Sequence, residues 1–137
     1  DLVDGELILV GIPPSAELGA GKFGSVWRAK DRRTGELYAV KNIQAHGYKA
    51  SVALREYVAA DHLRVRPHPG VVQYFGVHHF AEECLYVVVM ELCTGGDLRQ
   101  RIRDERWAAT VEKRNYRPPE QALAWIGQVF LGLEHLH

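Results

Sequence analysis

The chain has 137 residues, 47% of them hydrophobic and 25% charged, which fits an ordinary globular domain with a core and excludes global disorder. Seventeen Lys and Arg balance seventeen Asp and Glu, so net charge offers no case for a nucleic acid or an anionic membrane as partner, and neither is expected. The longest uninterrupted apolar run, Leu85 to Met90, is far too short to cross a bilayer.

In chain order, Leu7 to Ile12 is apolar and ends at Pro13-Pro14, a stop for regular strand pairing. Ala16 to Leu18 leads into Gly19, Gly21 and Gly24, after which Ser25 to Lys30 alternates polar and apolar, the pattern of a half-buried strand. Asp31 to Gly35 is a turn cluster, and Glu36 to Ile43 is a second strand, so the two predict an antiparallel hairpin. About Lys49 to Arg66 predicts a helix, free of Gly and Pro and stopped by Pro67-His68-Pro69-Gly70. Val71 to Val77 and Cys84 to Met90 predict two further strands joined near Ala81-Glu82-Glu83. Thr94-Gly95-Gly96-Asp97 breaks the strand pattern, and Asp97 is placed to cap a short helix reaching about Arg103. Trp107 to Arg117 shows no clear period. Pro118-Pro119-Glu120 predicts a helix start with proline in the first turn, followed by apolar residues at helical spacing to the end. Strands come first and helices after, which predicts an α+β fold in two packing units with a boundary near Thr94 to Asp97.

Three features carry chemistry. Gly19-Ala20-Gly21-Lys22-Phe23-Gly24 lets a backbone approach a ligand closely. The G-x-G-x-x-G pattern serves two nucleotide architectures; here it leads into a strand and not a helix, so the dinucleotide context fails. What remains is a lid over phosphates, or simply a flexible hairpin. Lys41 shares its strand face with Leu37 and Ala39, which is costly for a lysine without an anionic partner. Glu56 is flanked at helical spacing by Val52, Ala53, Ala59, Ala60 and Leu63, all apolar. A carboxylate on such a stripe either snorkels to water or takes a cation from elsewhere. Lys41 and Glu56 each supply what the other lacks.

Together these segments resemble the protein kinases in order and spacing. Leu18-Gly19-x-Gly21-x-Phe23-Gly24-x-Val26 is similar to the glycine-rich loop, and Tyr38-Ala39-Val40-Lys41 to the third-strand lysine motif. Arg55-Glu56 resembles the helix C glutamate. His68-Pro69-Gly70-Val71-Val72 resembles the family's H-P-N-I-V element, with Gly70 where Asn is common. Val88 to Leu92 resembles the fifth strand and hinge, with Met90 at the gatekeeper position. Gly95-Gly96-Asp97-Leu98 and Gly132 to His137 resemble helix starts and ends of the large lobe. The resemblance is to serine/threonine kinases of the calcium/calmodulin-dependent or neighbouring groups. It implies a small lobe over about 7–90 (an antiparallel five-stranded sheet plus helix C), a hinge at 91–97, and the first large-lobe helices over 98–137, in a truncated domain.

The resemblance also implies ATP as ligand and a protein hydroxyl as acceptor. Gly19, Gly21, Lys22, Phe23 and Gly24 would cover the phosphates. Leu18, Val26 and Ala39 would enclose adenine beside Met90, and Lys41 would contact the α- and β-phosphates while Glu56 holds it. The Glu91 carbonyl and the Cys93 amide would bond adenine, and Asp97 the ribose. The family's H-R-D-x-x-x-x-N and D-F-G motifs do not occur in the sequence. The catalytic aspartate and the usual Mg²⁺ ligands are thus expected beyond His137, and this stretch alone is expected to be inactive. The rival reading is a pseudokinase or a nucleotide-binding scaffold.

Residues 99–117 hold seven basic side chains (Arg99, Arg101, Arg103, Arg106, Lys113, Arg114, Arg117) against Asp104, Glu105 and Glu112, a local charge of +4. They read as a solvated face, or as a docking surface for an acidic partner. Seven scattered histidines and two cysteines, Cys84 and Cys93, show no metal or disulfide spacing, and no metal site is expected. Without a charged-then-apolar leader, an intracellular location, cytoplasmic or nuclear, is expected. The start at Asp1 instead of Met and the end inside a predicted helix suggest a piece of a longer protein.

Overall fold

The computed structural model describes residues 7–9, 17–21 and 24–136. Ten elements follow in chain order: strands β1 (Leu7–Leu9), β2 (Glu17–Gly21), β3 (Gly24–Asp31) and β4 (Leu37–Gln44); a single 3₁₀ turn, Gly47–Lys49; helix α1 (Ala50–Val65); strands β5 (Tyr74–Phe80) and β6 (Leu85–Glu91); and helices α2 (Leu98–Val111) and α3 (Ala122–Leu136). They divide into two compact units, one up to Leu92 and one from Cys93.

The first unit is an antiparallel sheet in the order β1-β3-β4-β6-β5, with β2 also on β3. Six strands occupy five positions. β1 pairs with Ala29 to Asp31 and β2 with Gly24 to Trp27, so the two follow one another along the same edge of β3. The expected strand Leu7 to Ile12 is seen as β1, and residues 10–16 lie outside the described residues. The β3–β4 connection is closed by Asp31, which is 1% exposed and accepts the backbone N–H of Arg33 at 2.6 Å and of Thr34 at 3.1 Å. Those N–H groups, Thr34 first, hold the Asp31 carboxyl below its ordinary value. Gly35 completes the turn at φ +79°, where a side chain is disfavoured.

Alternation along β4 separates two apolar clusters. Tyr38 and Val40 face Ala29 and Val89, with Phe75 edge-on to Tyr38 at 5.2 Å. The Tyr38 hydroxyl donates to Glu36 Oε2 at 2.7 Å, which with burial pushes its pKa up to about 12. On the opposite face Ile43 and Val88 pack against Ala53 and Ala60 of α1. Two small residues one helical turn or more apart let the helix backbone lie close to the sheet, and this face also carries Lys41.

Three expectations need correction. The predicted strand Val71 to Val77 is displaced: β5 begins at Tyr74, and residues 71–73 are irregular. There the Val71 N–H bonds His68 C=O in a turn and the Glu91 N–H bonds Gln73 C=O, in place of a ladder. β-Branched Val71 and Val72 suit a strand, but the chain is still turning after Pro69-Gly70. The second correction concerns α2, which runs on to Val111 instead of stopping near Arg103. Its inward stripe of Leu98, Ile102 and Ala109 is diluted by arginines, which are nonetheless good helix formers. It ends without a glycine: Lys113 takes φ +54°, with Lys113 N–H on Thr110 C=O and Arg114 N–H on Ala109 C=O. That is the bond pattern normally completed by glycine. Third, α3 starts at Ala122, so Pro118 and Pro119 precede the helix instead of opening it; Ala122 N–H bonds Pro119 C=O in a preliminary turn.

Candidate functional site

Lys41 and Glu56 come from β4 and α1 and meet at 2.6 Å, Nζ to Oε1. Their side chains are 29% and 38% exposed, so the pair is neither sealed in the core nor freely solvated. The other acid of α1, Asp61, has its own cation: Arg64 Nε and Nη2 reach Asp61 Oδ1 at 3.1 and 2.9 Å. Glu56 Oε2 is buried and accepts no hydrogen bond from the described residues. One carboxylate oxygen therefore anchors Lys41, and the other retains acceptor capacity.

The pair opens onto a cavity of about 270 Å³ inside the first unit, lined by Val26, Lys41, Ile43, Glu56, Ala59, Ala60, Tyr74, Val88 and Met90. Register explains the grouping. Lys41 lies opposite Val26 on β3 and Val88 on β6, and Ala39 opposite Met90, so these side chains share the sheet face that α1 covers. The result is an apolar hollow with one ammonium–carboxylate pair in its wall. Tyr74 adds a hydroxyl whose pKa is raised, by burial first and by the nearby Glu56 charge second.

The three glycines, alike in sequence, differ in structure. β2 and β3 form a hairpin in which Gly19 pairs with Val26 and Gly21 with Gly24; Lys22 and Phe23, between them, lie outside the described residues. A Cβ on Gly24 would stand 1.9 Å from the Asn42 carbonyl oxygen. One on Gly19 would meet nothing within 4 Å, and one on Gly21 only Gly24 O at 4.0 Å. Gly24 is thus required by strand packing. Gly19 and Gly21 leave an exposed backbone surface that a ligand can approach.

The remaining predicted residues fall as follows. Leu18 is exposed, at a register irregularity in β2. Ala39 is buried, 6% exposed. Glu91 ends β6 exposed, and its N–H bonds Gln73 C=O at 2.9 Å. Cys93 and Asp97 belong to the second unit. Cys93 is exposed. Asp97 caps α2, Oδ1 accepting Gln100 N–H at 2.6 Å. Sequence reasoning missed Ile43, Ala59, Ala60, Tyr74 and Val88 as cavity walls. Two-residue alternation from Lys41 and Met90 would have found Ile43 and Val88. Tyr74 was obscured by the displaced start of β5. No group of three His, Cys, Asp or Glu suited to a metal occurs among the described residues. No helix of the described residues is long and apolar enough to cross a membrane.

Known proteins are similar to this chain in sequence. The model of the protein kinase domain matches residues 14–137. The chain is 33% identical over 120 residues to serine/threonine-protein kinase Nek5 of Mus musculus, and 31% over 120 residues to smooth muscle myosin light chain kinase of Gallus gallus. It is 32% identical over 129 residues to death-associated protein kinase dapk-1 of Caenorhabditis elegans. Each alignment covers 88% of this chain but only 17%, 6% and 8% of those relatives. The sheet and helix α1 are those of a kinase small lobe, and α2 and α3 those of the start of a large lobe. The chain belongs to the protein kinase family.

Proposed function

We propose that this segment is the ATP-anchoring part of a serine/threonine protein kinase, which transfers the γ-phosphate to a protein hydroxyl. The observation that carries this reading is the 2.6 Å Lys41–Glu56 pair set in the wall of an open cavity. Phosphoryl transfer asks a protein chiefly for positioning and charge neutralisation. Glu56 fixes where the ammonium stands, so a phosphate oxygen meets a cation already oriented and pays little side-chain entropy. The chain fits the nucleotide on two counts: Gly19 and Gly21 leave room for close backbone approach, and Val26 and Met90 give the hollow apolar walls that suit a heterocycle.

In this assignment residues 7–90 are the small lobe, 91–97 the hinge and 98–137 the first large-lobe helices. The adenine and ribose roles of Glu91, Cys93 and Asp97 rest on the family resemblance alone. Mg²⁺, which would neutralise phosphate charge, has no cluster of ligands among the described residues, and none of the roles above is routed through it. Residues 99–117, with charge +4, are assigned to contact with an acidic partner.

The test is phosphotransfer to a protein substrate by a kinase domain carrying this segment, with and without Lys41→Met. The expected result is loss of transfer with the fold retained; unchanged turnover overturns the assignment. The 137-residue chain alone is expected to transfer nothing, because no H-R-D or D-F-G motif occurs in it. A complete domain that binds ATP and transfers none would instead be the pseudokinase.

A further inference from the structure

The second unit carries a tryptophan that its own fold does not use. Trp107 of α2 is 71% exposed, and no ring, cation or hydrogen-bond partner engages it among the described residues. Ala109, two positions on, is 1% exposed. Leu98 and Ile102 line an apolar groove with residues of α3. At 100° per residue Trp107 points away from that stripe. Indole is costly to leave in water, and exposed Trp flanked by Arg is the composition of binding hot spots.

Its neighbours indicate the occupant. Arg99, Arg103, Trp107 and Val111 succeed one another at four-residue spacing, about 6 Å apart along one side of the helix. Val111 is 64% exposed. The arginines of the inner side are engaged: Arg101 pairs with Glu105 at 3.5 Å and lies over Trp125 at 4.9 Å, and Arg106 lies over Tyr116 at 5.3 Å. Arg99 and Arg103 have no carboxylate partner among the described residues; Arg103 bonds Gln100 Oε1, and Gln100 Nε2 donates to Asp104 at 2.6 Å. The outer face therefore offers two guanidinium groups without a direct carboxylate partner among the described residues, followed by an apolar step. Asp104 beside Trp107 and the aliphatic Val111 disfavour a continuous phosphate backbone.

We infer that the outer face of α2 docks an acidic peptide segment of a partner protein, with an apolar or aromatic side chain seated on Trp107 and Val111 and carboxylates on Arg99 and Arg103. This deepens the acidic-partner reading of residues 99–117 and is independent of ATP binding. Charge complementarity would set encounter rate and salt dependence, and the buried indole most of the residence time.

The test titrates the full chain with a short fluorescein-labelled peptide in which Phe and Leu are flanked by Asp and Glu. Its Asn/Gln counterpart is the control. Binding should favour the acidic peptide and weaken with salt. Trp107→Ala should cost about tenfold or more in affinity. Arg99→Glu/Arg103→Glu should shift preference to the corresponding Lys/Arg peptide. Both changes are on exposed side chains, and unaltered circular dichroism confirms that the helix persists; Arg103→Ala provides a milder variant. Equal affinity for the acidic and neutral peptides overturns the proposal. So does wild-type affinity in both Trp107→Ala and the charge-reversed variant. Acidic-peptide binding lost only in Lys113→Glu/Arg117→Glu would keep the acidic-partner reading and overturn this face. A single-stranded oligonucleotide that displaces the peptide and needs Trp107, or self-association abolished by Trp107→Ala, overturns it in favour of nucleic acid or a second copy.

Discussion

Replacing Gly24 by alanine places a methyl carbon 1.9 Å from the Asn42 carbonyl oxygen and 3.2 Å from Ile43 Cα, where ordinary contact begins at 3.4 Å. Both obstacles are backbone atoms of β4, and Gly24 and Ile43 are register partners. No rotamer change relieves the overlap; the two central strands must part at that end. Overpacking costs typically about 1–3 kcal/mol, and a clash with fixed backbone belongs at about 3 kcal/mol or above. For a chain of this length that is about 10 °C in unfolding midpoint. Gly21→Ala and Gly19→Ala meet open space and should shift stability by no more than about 0.5 kcal/mol. Thermal unfolding of the three variants, followed by circular dichroism, measures the contrast. A Gly24→Ala protein that melts with the parent refutes the packing account. Equal destabilisation by all three refutes the division of the loop into one structural and two ligand-facing glycines.

Glu56→Gln should weaken ATP binding by about tenfold, because the lysine loses its charge-assisted anchor. Both partners are about a third exposed, so after solvent screening the fold should lose no more than about 1 kcal/mol; isothermal titration and urea unfolding separate the two effects. Asp31 has a lowered carboxyl pKa, so its stabilising contribution is present above the unfolded value near 3.8 and is lost as pH falls through the still lower folded value. Asp31→Asn should flatten the acid limb of the stability–pH curve and lower the plateau above it, and superimposable curves would contradict this. As a free 137-residue chain the protein should self-associate through α3, where Ile126, Val129, Phe130 and Leu133 are all exposed. Sedimentation should show Phe130→Glu shifting the chain towards monomer, and a monodisperse parent would contradict it.

The legible parts of the fold were those with local causes. Helix α1 was bounded by an uninterrupted helix-forming run and a proline stop, and the β3–β4 hairpin by alternation around Asp31 to Gly35. Glu56 and Lys41 stood out because each sat on an apolar face without a partner. What stayed hidden depended on backbone geometry or on neighbours in other strands. The separate role of Gly24 is written in Asn42 of the adjacent strand. The hydrogen bonds that hold the buried Asp31 come from the backbone N–H groups of Arg33 and Thr34 in its own turn. The end of α2 carries no glycine because Lys113 takes the left-handed position itself. The start of β5 was set by pairing with β6, not by the apolar character of Val71 and Val72.

The central claim is that Lys41, held by Glu56, recognises the phosphates of ATP. The most direct measurement compares ATP with adenosine on the parent chain and on Lys41→Met, by the rise in unfolding midpoint at saturating ligand. The account predicts that the parent is stabilised more by ATP than by adenosine and that Lys41→Met erases the difference while leaving the adenosine effect. An ATP increment that persists undiminished in Lys41→Met would contradict it.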